Sequence, residues 1–182
     1  MDLYQAIERR RTVRVFKKRA TKGQIRRIIL AGSKAPSGGN RQPWEFIVID
    51  GPRIIGKLGE LKYQLNRKFT PDDDETQKDV EERARKQKTG FRHAAVVAVC
   101  TKAKEAVDGW LAVENMSLAA VAEGLGSNIV SYWGPAKKKA EKILGIPAGF
   151  ELTCVLKLGV PGEKPRLPER RPDWSWLHKN TF

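Results

Sequence analysis

Cysteine is nearly absent from this chain, with two in 182 residues. Cys100 and Cys154 lie far apart, each inside an apolar, strand-like run (Val96-Val97-Ala98-Val99-Cys100 and Leu152-Thr153-Cys154-Val155). Neither belongs to a Cys-x-x-Cys pair, and His93 and His178 have no neighbours at ligand spacing. The expectation is buried, inert thiols and no metal. Long apolar runs are missing too. The most apolar stretch, Trp110 to Leu125, contains Glu114, Asn115 and Glu123 and is short for a membrane span. The opening residues Met1 to Glu8 include acids and no apolar h-region, so no signal peptide is expected and a cytoplasmic protein is the plain reading. There is no internal repeat, and no Gly-x-Gly-x-x-Gly follows the first strand, which leaves a Rossmann-bound dinucleotide unsupported.

What is abundant is positive charge. Thirty-five Lys and Arg against 21 Asp and Glu leave a formal +14. Such an excess suits nucleic acid, an anionic membrane or anionic small molecules. The basic residues are spread along the chain, with clusters at Arg9-Arg10-Arg11, Lys137-Lys138-Lys139 and Arg170-Arg171, and no zinc-finger spacing or RNP-type strand accompanies them. Charge therefore favours anion affinity without choosing the anion. A 40% apolar content and five Trp support one domain, 1–182, with a real core.

Along the chain, Asp2 caps a first helix with Leu3, Ala6 and Ile7 on its apolar face. The alternation of Thr12-Val13-Arg14-Val15 then suggests an extended segment. Thr21 and Gln24 form a capping box for a second helix through Ile25, Ile28 and Ile29, ending near Gly32. Trp44 to Ile49 reads as a strand, and Pro52 opens a helix carrying Ile54, Ile55, Leu58, Leu61 and Leu65. Residues 66–92 are highly charged; a mobile, lid-like excursion and a plain solvated helix fit them equally. Ala94 to Thr101 reads as a buried strand, Ala106 to Leu125 as a helix apolar nearly all round, and Ile129-Val130 as a short strand. Pro135 opens a basic helix that stops at Gly145, Leu152 to Leu158 alternates as the last strand, and a Trp-bearing arm runs over 161–182. The order of elements is an α+β pattern.

Four segments carry chemistry. They are Arg10-Arg11-Thr12-Val13-Arg14-Val15-Phe16; Ala35-Pro36-Ser37-Gly38-Gly39-Asn40-Arg41-Gln42-Pro43-Trp44; Glu114 through Gly124-Leu125-Gly126; and Leu158-Gly159-Val160-Pro161 with Arg170-Arg171-Pro172. Arg10 and Thr12, two apart on an extended segment, point to one side and can grip a phosphate, with Arg14 further along the same face. The small residues of 36–40 let a loop approach a planar ring closely. In order and over nearly the whole chain, these segments resemble the nitroreductase family of FMN enzymes. The second, close to that family's Ala-Pro-Ser-x-x-Asn-x-Gln-Pro-Trp signature, is the most specific; Thr12 stands where the family more often has Ser.

The resemblance implies a central mixed β-sheet flanked by helices, in an intertwined homodimer with exchanged C-terminal arms. It implies FMN held by Arg10, Arg11, Thr12 and Arg14, with Arg14 near the N1–C2=O edge. The partner's loop Pro36, Ser37, Gly38, Gly39, Asn40 and Gln42 would meet the ring. Ser131, Tyr132, Trp133 and Gly134 would bring backbone to N5, although Tyr132 and Trp133 read equally well as core or interface aromatics. Arg170 or Arg171 would complete the phosphate site. NADH or NADPH would give hydride to the flavin in a ping-pong cycle, and a nitroaromatic, quinone or similar small acceptor would take it, with no catalytic side chain required. The alternatives are a reductive dehalogenase or flavin-modifying enzyme on the same fold or, in a different class, a basic nucleic-acid-binding module. Neither nucleic acid nor membrane is expected as a partner.

Overall fold

The computed structural model describes residues 1–72, 75–165 and 170–181. Helix α1 (Leu3–Arg9) starts on a capping box between Asp2 and Gln5, and α2 (Lys22–Gly32) on one between Thr21 and Gln24, so both starts follow from local chemistry. Strand β1 (Phe16–Arg19) lies between them. Strand β2 (Trp44–Ile49) leads into α3 (Pro52–Asn66), whose proline occupies the first turn, where a missing N–H costs nothing. Then come α4 (Gln77–His93), β3 (Ala95–Lys102), α5 (Ala106–Ala122), β4 (Gly126–Val130), α6 (Gly134–Leu144) and β5 (Phe150–Pro161).

Strand β5 is the hub of the sheet. It pairs with β3 along 150–158, and with β4 and then β1 along 155–161, while β2 flanks β3. Every strand pair is antiparallel. The expected mixed sheet is thus corrected: its parallel component among the described residues is one bridge, Thr12 to Ser127. The β2–β3 connection shows the cause. Helices α3 and α4 form an antiparallel hairpin, with Glu60 facing Lys88 at one end and Arg67 facing Gln77 at the other. Two helices in succession return the chain to the end of the sheet it left, so the next strand runs antiparallel.

Both faces of the sheet are buried. One face sets Val97, Val99, Cys154, Leu156 and Leu158 against Ile28 of α2 and Val113, Met116 and Ala120 of α5. The other sets Val96, Ala98, Cys100 and Val155 against Ile55 and Leu58 of α3, Phe91 of α4 and Ala140 of α6. Burial pushes the Cys100 thiol up to about 11 and the Cys154 thiol higher still, as suits inert core groups.

Two segments differ from the plain reading of their pattern. Most of 66–92 is not a plain solvated helix. Residues 77–93 form α4, capped by Thr76 and Asp79, with Val80, Ala84, Gln87, Gly90 and Phe91 buried. Those buried positions recur at helical spacing, but Gln87 and Gly90 conceal the stripe in the sequence. In α1 only Ala6 is buried, and Leu3, Tyr4 and Ile7 face outwards.

Candidate functional site

The Arg10–Arg14 segment runs extended because Val13 must be buried. Its side chain packs with Phe16 and Ala94, its N–H donates to the Ser127 carbonyl at 2.9 Å, and Thr12 and Arg14 are turned outwards. Arg10 stands 3.9 Å from Glu114 of α5. Arg11 donates to the carbonyls of Glu8 and Arg10, at 2.5 and 2.8 Å, and its Nε is buried without a hydrogen-bond partner. Among the described residues Arg14 has no ion-pair partner; its N–H donates to the Glu163 carboxylate at 2.6 Å, as does that of Val15 at 3.1 Å. Three cations and a hydroxyl therefore share one ribbon: Arg10 and Arg11 have long ion pairs, with Glu114 at 3.9 Å and Glu8 at 3.7 Å, Arg14 has none among the described residues, and one buried donor is still open. That donor set fits a phosphate with attached hydroxyls.

The Thr12–Ser127 bridge fixes this ribbon beside the start of β4. Ser131 follows four residues further on, about 13 Å along a strand. There the chain leaves β4 and enters α6 through Ser131, Tyr132, Trp133 and Gly134. Ser131 offers its carbonyl to Lys62 Nζ at 3.0 Å. Trp133 is half exposed, stacks on Phe69 with ring centroids 5.6 Å apart, and has Lys62 Nζ 4.5 Å above its ring. Gly134 has φ +52°, which lets the chain turn directly into α6. The side chain of Tyr132 takes the core alternative of the sequence reading: it is buried and its hydroxyl donates to the Leu58 carbonyl at 2.8 Å.

The loop 36–42 does not join this constellation within one chain. Arg41 pairs with Glu105 at 2.8 Å, whereas Arg10 faces Glu114. Nine residues of α5 separate those anchors, about 13 Å of helix axis. Pro36, Gly38, Gly39, Asn40 and Gln42 are exposed, and Ser37 Oγ accepts from the Gln42 N–H at 2.9 Å. Gly39, Asn40 and Gln42 all have positive φ (58°, 54° and 48°). Two of these are not glycine, a strain that sites of function commonly hold. Arg170 and Arg171 are exposed, close in sequence to the tilted Trp174–Trp176 pair, and have no carboxylate at ion-pair distance among the described residues.

Sequence reasoning missed two residues on the inner wall. Lys62 of α3 and Lys157 of β5 are buried, at 7% and 0% exposure. Desolvation pushes Lys62 down to about 8 and Lys157 down to about 7. Lys157 Nζ donates to the carbonyl and Oε1 of Gln87, at 3.3 and 3.1 Å. Its neighbour in register on β4, Asn128, has a buried Oδ1 without a partner. The only signal in the sequence was a lysine in an otherwise apolar strand, which reads as an ordinary outward-facing residue. A cavity of about 200 Å³ opens beside this wall, lined by Arg14, Phe16, Glu82, Lys86, Gly90 and His93 among others. No group of three or more His, Cys, Asp or Glu able to hold a metal occurs among the described residues. No described helix is long and apolar enough to cross a membrane.

Comparison with known proteins adds to this geometry. Residues 7–160 match the family model described as the nitroreductase family. The chain is 30% identical over 190 residues to the iodotyrosine deiodinase of Thermotoga neapolitana, spanning 99% of this chain and 98% of that one. It is 26% identical over 192 residues to the NADH dehydrogenase of Thermus thermophilus, spanning 94% and 93%. Among solved structures, an oxidised iodotyrosine deiodinase bound to FMN and 3-iodo-L-tyrosine superposes over the full length of both chains, with a TM-score of 0.79 and 26% identity.

Proposed function

From the membership of this chain in the nitroreductase family, we propose that it is an FMN-dependent oxidoreductase working as a homodimer. It would take hydride from NADH or NADPH and deliver it to a small electrophilic acceptor such as a nitroaromatic or a quinone. One observation supports this reading most: a ribbon of three arginines, Arg10, Arg11 and Arg14, the last without an ion pair among the described residues, is bridged to the strand that ends in the Ser131–Gly134 turn. When bound, FMN supplies the acceptance and release of hydride. The chain's own residues bind and orient. Arg10, Arg11 and Thr12 hold the phosphate end, with Arg170 or Arg171 available to it from the exposed arm. Arg14 places a guanidinium where negative charge gathers on reduction. Backbone at Tyr132 and Trp133 meets the ring, and the strained 36–42 loop, reaching across from a second subunit, covers it.

The exposed faces of α1 and α5 support a second subunit. Leu3, Tyr4 and Ile7 of α1 and Val107, Trp110 and Leu111 of α5 are all exposed on one protomer, and the two helices pack on each other. An apolar helix of this kind needs cover on both sides, and a second copy presents the same apolar residues in return.

A second reading, reductive dehalogenation of a halogenated aromatic amino acid, is favoured by the likeness to the deiodinases. Purified protein should be yellow and should bleach anaerobically on addition of NADH or NADPH; a colourless protein that takes up no added FMN sinks both readings. Steady-state turnover of a nitrofuran or menadione, set against iodotyrosine, separates the two.

A further inference from the structure

Lys62 and Lys157 are the only buried lysines among the described residues, and neither has a carboxylate within ion-pair distance. Each stands directly behind a piece of the proposed flavin site. Lys62 holds the Ser131 carbonyl and lies under the Trp133 ring. Lys157 stands behind Arg14. A Cβ added to Gly90 would collide with the Arg14 carbonyl and come 2.9 Å from Lys157 Nζ. The rings of Phe91 and Phe16 flank the ammonium, at 4.9 and 5.9 Å. The charged groups acting on Lys157 come from three directions. Arg14 and Lys62 oppose its charge; Glu163 favours it, but already accepts from the N–H groups of Arg14 and Val15. On the α4 side of the adjoining cavity stand Glu82, Arg85, Lys86 and His93. An unpaired buried ammonium is costly, and two that repel one another are costlier. Carbonyls and aromatic faces solvate this pair only in part, and an arriving anion would complete the arrangement.

Resting on the function proposed above, we propose that Lys62 and Lys157 form a buried cationic pair behind the flavin site, whose field makes the protein bind reduced FMN more tightly than oxidised FMN. Reduction by the nicotinamide adds one hydride, two electrons and a proton, to the ring system, and the nicotinamide leaves with one more positive charge. The negative charge that arrives on the ring is what the two ammonium groups face. Their lowered proton affinities leave them responsive to it, since a neighbouring anion raises the affinity again. Both act through the field at the ring and are positioning residues.

The experiment measures binding of oxidised and of reduced FMN, and the midpoint potential of the bound flavin, in full-length native protein and in the Lys62→Met, Lys157→Met and Lys157→Gln variants. Oxidised FMN should bind each variant within about threefold of native, while reduced FMN should bind about tenfold more weakly. A tenfold difference is a fall of about 30 mV in the two-electron potential. A merely structural role would weaken both forms alike. Equal losses for the two forms, or a native potential in a folded, FMN-bearing variant, overturn the proposal alone. A native chain that takes up no FMN overturns it together with the proposed function.

Discussion

Gly90 shows how much one missing methyl group decides. It lets α4 press against the Arg14 carbonyl while Lys157 passes alongside. Gly90→Ala should therefore push α4 away from the cation ribbon and cost about 1–3 kcal/mol, as overpacking does; the urea midpoint and FMN affinity should fall together. At the phosphate end, Arg10→Ala should weaken FMN binding by about 1.5–3 kcal/mol, the worth of a charged hydrogen bond, and unchanged affinity in titration would remove Arg10 from the site. The buried lysines predict a pH dependence of stability. Unfolded, each titrates near about 10.4; folded, they stand at about 8 and about 7. Between those values the unfolded chain binds more protons, so native stability should rise with pH from roughly 7 to 10. Lys157→Met should be more stable than native at pH 7 and lose much of that slope, which denaturation at a series of pH values would reveal. Neither lysine was legible in the sequence, because strand alternation cannot distinguish a lysine under a helix from one in water. Arg10, Thr12 and Arg14 were legible, since alternation around Val13 fixes their side.

Single elements were read best where local chemistry sets them. The cap at Asp2, the capping box at Thr21, the proline opening α3 and the glycine closing α6 all stand where the sequence placed them. Helix α4 was misread because its packing is tertiary. Glu60 to Lys88 at 2.5 Å, and Glu81 with both Arg67 and Tyr63, tie a charged helix to α3. Composition alone shows only the charge. The Thr76 cap also lay hidden, its partner being Asp79 rather than the Glu or Gln of the usual pattern. Thr76→Ala should cost about 1 kcal/mol and raise amide exchange first in the opening turn of α4, leaving β3 and β5 protected. A uniform rise across the sheet would contradict that placement.

Across the whole molecule, the legible part was the α+β class and the order of the elements apart from β1 and α4, and the illegible part was everything that needs a second surface. The sequence placed Leu3 and Ile7 on an apolar helix face, yet one chain leaves them bare, as it does Trp110 and Leu111. Trp110→Asp should therefore convert a dimer to a monomer in sedimentation and release FMN, because the 36–42 loop would be lost with the partner. A monomeric variant that retained FMN at native affinity would place the whole site in one protomer.

The hub position of β5 bears on how the molecule is made. Strands β1, β3 and β4 all lean on residues 150–161, which leave the ribosome after every other strand. The earlier strands wait without their common neighbour, so sheet closure is a late event built on long-range contacts, slow by its topology. During that interval their open edges and the apolar sides of α1 and α5 are available to any passing chain. Synthesis at low temperature or with chaperones should therefore raise the yield of assembled protein far more than it changes the properties of the finished one.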